Sequence, residues 1–444
     1  MEISSPSTLS RRHFLAYSAR LLGTALGAGS LFSACGSGTE PLLTIMVNMP
    51  SHYLTEFQKR YPSLRILQQP ENRTKLITSL MGRVGIDVFE YVDEDVPVFA
   101  HEGVLADLSS YSAKDPILPP SNLLPVNDAY RWNGTVLGQG PRYALASSWS
   151  YPLLWFNKTL FDQQGIAYPS ETVPMSYDKL LALGRRLTVH EGNEIRVYGL
   201  EPGWNTGMLY GLLVQNLAQA GTSLFSSDQT RADFTTPQAK ELLQWYVTWA
   251  QAGIGPSPVT PANVTNVQIL YRQGKLAMMI ADTSVVGISS PLVPSPLSSQ
   301  TGFAPLPQWG ARRLTGCFAS RGIGLAAFSQ HKDVAWKFLE YYTAGPPAQD
   351  RIAATGLLPV VRSLLHPVQQ PTAAQHQLLW RILEQQLPYN TALPFSPYIH
   401  RGDMIAAIEQ SLTAVMQGQM PLDEMARQLT ETVNQRLKEG KQAL

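Results

Sequence analysis

The sequence predicts an α/β protein built on a parallel sheet and divided into two domains. Three observations carry this. Apolar, β-branched runs alternate with short helical segments between residues 42 and 90, the mark of β-α-β units. Beyond residue 236 most segments show the 3.6-residue apolar period of helices. At ~100–200 residues per domain, a chain of 444 residues holds two domains or three.

The first 34 residues read as an address and stand outside the fold. Ser10-Arg11-Arg12-His13-Phe14-Leu15 matches the twin-arginine export pattern S-R-R-x-F-L, and a weakly apolar stretch of Ala, Gly and Leu follows. In Phe32-Ser33-Ala34-Cys35-Gly36, small residues precede a Cys as in a bacterial lipoprotein cleavage box, where the thiol is acylated. The stretch is too short for a transmembrane helix and is interrupted by Arg20. Residues 35–41 then form a tether, with Gly36 to Thr39 its flexible part. The expected location is the periplasmic or extracellular side of a bacterial cell envelope, membrane-anchored through lipid on Cys35.

The elements follow in order. Leu42 to Val47 is a strand, ending in a polar turn from Asn48 to Ser51; a helix spans His52 to Arg60 with Leu54 and Phe57 inward. Leu64 to Leu67 is a second strand, Thr74 to Arg83 a helix, and Ile86 to Glu90 a third strand. The loops after such strands are where open α/β sheets bind ligands, which makes Asn48 and Ser51 candidate contacts. Thr236 caps a helix that starts at Pro237, with Leu242, Leu243, Tyr246, Val247 and Ala250 on one face. Ala335 to Tyr342 is another helix. Ile405, Ile408, Leu412 and Val415 mark a further one stopped by Gly418, and Met425, Leu429, Val433 and Leu437 mark the last. Ser289 to Gln300 is rich in Ser and Pro and reads as an exposed loop.

Composition narrows the function. A net charge of +1 lacks the basic stripe that displaces phosphate counterions, so nucleic acid is not an expected partner. Nine Trp, 18 Tyr and 14 Phe supply a core and exclude disorder. With Cys35 acylated, Cys317 has no partner for a disulfide. No H-E-x-x-H, P-loop or G-x-S-x-G occurs, and neither a metal nor a cofactor is expected. Gly322-Ile323-Gly324-Leu325-Ala326-Ala327 fits G-x-G-x-x-A but reads as a buried strand. Asp93, Glu94 and Asp95 form an acidic knot after the third strand, suited to general acid work, to sugar hydroxyls, or to a solvated helix start. Tyr341-Tyr342 reads as core, and Arg401-Gly402-Asp403 as a chance tripeptide.

A longer pattern runs through these segments. Phe57-Gln58-Lys59-Arg60-Tyr61-Pro62, Ile86-Asp87-Val88-Phe89, Gly103-Val104-Leu105-Ala106-Asp107-Leu108, Trp155-Phe156-Asn157-Lys158-Thr159-Leu160-Phe161, Tyr177-Asp178-Lys179-Leu180-Leu181, Gly274-Lys275-Leu276-Ala277-Met278, Ala304-Pro305-Leu306-Pro307, Ala335-Trp336-Lys337-Phe338-Leu339 and Gly356-Leu357-Leu358-Pro359 occur in this order. Together they resemble the bacterial extracellular solute-binding proteins of family 1, the maltose-binding type that serves ABC importers. The resemblance implies a two-lobed periplasmic-binding-protein-like fold of type II, with solute clamped in a hinged cleft. It places chain crossings near residues 143–148, 300–304 and 351–357. Lobe 1 is then 42–146 plus 304–352, and lobe 2 is 147–303 plus 353–444.

The same resemblance implies cleft contacts. Tyr91 is the aromatic after the third strand, followed by Asp93 and Glu94 in hydrogen-bonding positions. Ser150 stands where the maltose binder has a carboxylate, beside Trp149, and Glu201-Pro202-Gly203-Trp204 puts Trp204 at a stacking position. Each of the two Trp has core packing as its alternative. Asp282 and Ser284 replace the family's Gly and Trp, so a stacking ring is missing there and a smaller or more polar ligand than maltodextrin is expected. Phe318 and Arg321 face the cleft from the re-entrant segment. The expected activity is binding without catalysis: a monomeric, lipid-anchored receptor that delivers a sugar or polyol to the transmembrane subunits of an ABC permease by hinge closure. The rivals are a non-transport sensor of the same fold and an exported carbohydrate-active enzyme.

Overall fold

Leu42–Met46 (β1), Arg65–Gln68 (β2) and Val88–Tyr91 (β3) lie parallel, with β1 in the middle, joined by helices Ser51–Arg60 and Arg73–Gly82. The computed structural model describes residues 41–192, 194–262, 266–282, 297–355, 358–365 and 374–444. In the first helix Tyr53 and Phe57 are buried, while Leu54, expected inward, is only half-buried. In the second, the Asn72 side chain accepts from the Lys75 amide at 2.9 Å, which satisfies an N-terminal donor and starts the helix one residue earlier than expected.

Two hairpins follow in chain order with the central strands. Arg131–Trp132 (β4) pairs with Leu137–Arg142 (β5), then come Ala144–Ser150 (β6) and Pro152–Asn157 (β7), and Val189–Glu191 (β8) pairs with Glu194–Val197 (β9). Met278–Asp282 (β10), Thr301–Pro305 (β11), Thr315–Leu325 (β12) and Asn390–Ala392 (β13) complete the strands. The first sheet runs β13-β12-β3-β1-β2, with β6 also on β12; the second runs β10-β7-β11, all antiparallel. These sheets are the cores of two α/β lobes.

The chain changes sheet at sharp points. β6 and β7 form one extended run interrupted only at Tyr151, with β6 in the first sheet and β7 central in the second. The next change falls between Pro305 and Thr315, since β11 still pairs with β7. Residues 143–148 and 300–304, the crossings expected from the sequence, lie in or beside β6 and β11. Residues 144–150 and 301–305 keep their ladder partners, and a strand cannot leave a sheet without abandoning those bonds.

The helices match their apolar periods. Thr236 accepts from the Ala239 amide at 3.2 Å, with Pro237 at the first helical position, and all five residues of the expected face are buried. The last two helices are Arg401–Met416 and Leu422–Ala443; Gly418 takes φ +72° between them. Ile405 is half-buried whereas Ile408, Leu412 and Val415 are fully so. The expected loop at 289–300 falls mostly outside the described residues, and Leu297–Gln300 is a helical turn. Gly322 and Gly324 lie inside β12. A Cβ on Gly322 would stand 2.3 Å from the Tyr130 ring, and one on Gly324 would stand 2.8 Å from the Tyr91 ring. Close packing explains this G-x-G. Among the described residues no helix is long and apolar enough to cross a membrane, and no group of three His, Cys, Asp or Glu is placed to hold a metal.

Candidate functional site

The parallel strands β1 to β3 end on one edge of the first sheet, and β12 runs antiparallel to β3, so Arg321 lies just past the C-terminal end of β3. A bulge in the β12–β6 ladder on either side of Arg321 turns its side chain out of register. Its Nη1 reaches Glu71 Oε2 at 2.5 Å and Glu90 Oε2 at 3.9 Å. Glu71 sits in the loop after β2, and Glu90 is in β3. The Tyr342 hydroxyl donates to Glu90 Oε1 at 3.0 Å, and the Ser147 hydroxyl donates to the Arg321 carbonyl at 3.1 Å. Arg351 donates to the carbonyls of Ser147 and Tyr342 at 3.0 and 2.8 Å, with its guanidinium 4.2 Å from the Tyr342 ring centre.

This cluster is graded in exposure. Glu90 is buried, and burial raises its carboxyl above the usual range despite the bonds from Tyr342 and Arg321. The side chains of Arg321 and Glu71 are 42% and 35% exposed, so the polar tips reach solvent from a fixed base. A guanidinium beside carboxylates offers donors and acceptors to vicinal hydroxyl groups.

The second lobe meets this edge at the Tyr151 crossing. Ser148 pairs with Arg321, and Pro152 pairs with Asp282 at the end of β10. Four residues of strand separate the two pairs, roughly 13 Å at ~3.3 Å per residue. Next to β10 lies the turn Pro202–Thr206. Buried Glu201 accepts from the Asn205 amide at 2.9 Å and from Asn205 Nδ2 at 2.8 Å, and Thr206 donates to the Ile280 carbonyl at 2.9 Å. Burial pushes the Glu201 carboxyl up to about 7, although four bonds from its own turn oppose the shift.

Two lobes joined by crossing strands, with polar groups converging where they meet, make a receptor geometry. A family model described as bacterial extracellular solute-binding protein matches residues 55–345. The chain belongs to that family. An ABC substrate-binding protein from Listeria monocytogenes, solved in complex with cycloalternan, is similar to this solute-binding protein with a TM-score of 0.69. It is 22% identical, over 90% of this chain and 98% of that one. An ABC transporter solute-binding protein from Agrobacterium vitis with bound D-mannitol gives a TM-score of 0.60 at 21% identity, over 89% and 97%. At such identities the likeness shows the two-lobed fold. A relative from Brucella abortus, named as a binding protein, is 28% identical over 205 residues, 46% of each chain. This chain thus spans about half the length of that relative.

The expected contacts of the solute-binding protein divide three ways. Asn48 and Ser51 are exposed at the end of β1 and the start of the first helix. Asp282 is half-buried at the end of β10, and the Phe318 backbone pairs with Ser150. Ser284 lies outside the described residues, as do Arg11, Arg12 and Cys35.

The aromatics are different from expectation, because each is packed inside a lobe. Tyr91 is buried against Phe89, Phe99 and Tyr130, its hydroxyl donating to the Tyr143 carbonyl at 3.0 Å. Trp149 is 1% exposed, with its indole N–H on the Pro359 carbonyl at 2.6 Å. Trp204 is 7% exposed and lies 6.2 Å from the Trp249 ring. Ser150 is buried too. These rings close hydrophobic cores, the alternative open for the two Trp from the sequence.

Asp93 and Glu94 are both engaged by Arg401, and Glu94 also lines a cavity of about 360 Å³. Arg401 pairs with Asp93 through Nη2, and the Arg401 amide donates to Glu94 Oε1 at 2.6 Å. Burial raises the Asp93 carboxyl while Arg401 pulls it down. Burial would raise Glu94 as well, but its bonds with His400 and Arg401 outweigh that and hold it low. Asp95, the third member of the knot, takes a two-point ion pair from Arg73 at 2.7 and 2.8 Å. Sequence reasoning missed Glu71, Glu90, Ser147, Arg351 and Arg401 as site residues. One signal was available: Glu90 is an acid inside the apolar run Val88-Phe89-Glu90-Tyr91, where a buried charge needs a partner.

Proposed function

We propose that this protein is the lipid-anchored solute receptor of an ABC importer and that it binds a small sugar or sugar-like polyol between its lobes. The observation that supports the reading most is the Glu71–Arg321–Glu90 cluster, set where β6 crosses toward Asp282. Its tips take hydroxyl groups on a base fixed by Ser147, Tyr342 and Arg351. Burial of the expected stacking rings favours a compact polyol over an extended oligosaccharide, since long glucans bind largely through sugar–ring stacking. The D-mannitol bound by the similar structure from Agrobacterium vitis is in keeping with this class. Closure then follows from solute bridging Arg321 of one lobe and Asp282 of the other, which favours the closed population.

The test is a thermal-shift and calorimetric screen against monosaccharides, disaccharides and sugar alcohols. At 100 times the dissociation constant a ligand adds ~2.7 kcal/mol of stability. Arg321→Ala is expected to weaken binding at least tenfold while its melting temperature without solute stays near that of the wild type. Silence across the whole panel, or unchanged affinity in the variant, overturns the proposal. Anchoring is checked separately by acyl-chain labelling in the bacterial host, which Cys35→Ser should abolish.

A further inference from the structure

We propose that Arg401 is an inter-lobe latch that holds the two lobes together in the absence of solute. Asp93 and Glu94 follow β3 of the first lobe. Arg401 opens the helix Arg401–Met416, whose buried Met404, Ile408 and Leu412 belong to the second lobe's helical layer with Leu209–Gln219 and Pro237–Gln251. One residue therefore engages two consecutive carboxylates across the boundary, by its guanidinium on Asp93 and its backbone amide on Glu94. His400 adds a third contact, Nδ1 to Glu94 Oε2 at 3.6 Å.

The surroundings make this pair responsive to lobe position. Asp93 is buried, Tyr130 of the first lobe and Tyr210 of the second are buried beside the pair, and the guanidinium lies 4.7 Å from the Phe395 ring centre. Removing one partner of a buried ion pair strands the other charge, so the contact favours a state in which both stay together. A cavity of about 360 Å³ runs between Val98 and Phe99 on one side and Arg436 and Glu439 on the other. Glu94 and His400, the other two groups of the contact, line that cavity.

A latch of this kind biases the closed population before any solute arrives, which raises apparent affinity in proportion to the closed fraction. The inference requires two lobes that move, but it does not depend on which solute binds. Small-angle X-ray scattering of the solute-free full chain tests it with wild type, Arg401→Gln, Asp93→Asn and the double variant. The expected result is a larger radius of gyration in each single variant, no further increase in the double, and at least a tenfold fall in the closed-to-open ratio. Circular dichroism confirms folding of each; if Arg401→Gln does not fold, Glu94→Gln with His400→Gln, nearer solvent, gives the same comparison. Equal dimensions in the wild type and the folded variants overturn the latch and make the pair a static pin at the hinge. Failure of every solute to bind would leave the scattering comparison intact.

Discussion

At the scale of single residues, the buried ionisable groups give the sharpest expectations. Glu201 is fully enclosed, and its carboxyl is pushed from an ordinary 4.5 to about 7 by burial. A pKa raised on folding means that the folded state holds the proton more tightly. The contribution is complete below pH 4.5 and is lost as pH rises through about 7, at ~1.4 kcal/mol for each pH unit between the two values, or about 3 kcal/mol in all. Urea unfolding at a series of pH values should show this fall between pH 5 and 7.5, and Glu201→Gln should flatten it. A parallel slope in the variant would show that another group is responsible. The Gln amide can still accept from the Asn205 backbone but opposes Asn205 Nδ2, so the diagnostic is the slope, not the absolute stability. Cys317 gives a second expectation. Burial pushes its thiol up to about 12, and its S–H donates to the Thr391 carbonyl at 3.2 Å, so native protein should resist thiol reagents until it is unfolded.

At the scale of elements, β12 carries the packing constraint. Its Gly322 backbone pairs with Tyr91 on one side and Ala146 on the other, and the Tyr130 ring covers the space where a Cβ would stand. Gly322→Ala is expected to cost about 2–3 kcal/mol, because overpacking between two fixed ladders leaves no direction for relief. Gly402 is the matching control. It lies in the first turn of Arg401–Met416, and nothing stands within 4 Å of where a methyl carbon would be added, so Gly402→Ala should be neutral or stabilise by a few tenths to ~1 kcal/mol. Chemical unfolding of the two variants checks the contrast, and equal effects would contradict the packing account. The helix periods were legible in advance because a one-sided apolar stripe is a local property. The G-x-G reading as a buried strand was legible for the same reason, but the ring that enforces it comes from residue 130 and was not.

At the scale of the molecule, each lobe is assembled from distant parts of the chain. The middle of the first sheet is β12, which bonds β3, β6 and β13. Its residues 315–325 arrive only after the chain has built the second sheet. A fragment that ends at Pro305 lacks that strand, so β3 and β6 have no common partner. Such a fragment should show no cooperative thermal transition, whereas the full chain should; a sharp transition in the fragment would mean that the first lobe closes without β12. The same interleaving hides the change of sheet from the local sequence. Composition hardly changes between Ser148 and Pro152, yet a ladder partner at Phe318 holds Ser150 in the first sheet and one at Asp282 holds Pro152 in the second.

The sequence by itself determined the α/β class, the helix faces, the Thr236 cap and, through the ordered set of short motifs, the family. All of these are written in neighbouring residues or in their order along the chain. The tertiary structure alone decided which polar groups meet. Asp93 and Arg401 are 308 positions apart, and Glu90 and Tyr342 are 252 apart. No spacing rule pairs residues at such separations, because loops meet only after the sheets that carry them have formed. It also decided the fate of Trp149 and Trp204. A tryptophan has the same local sequence whether it packs in a core or faces a solute, and the difference is made by what the rest of the chain lays against it.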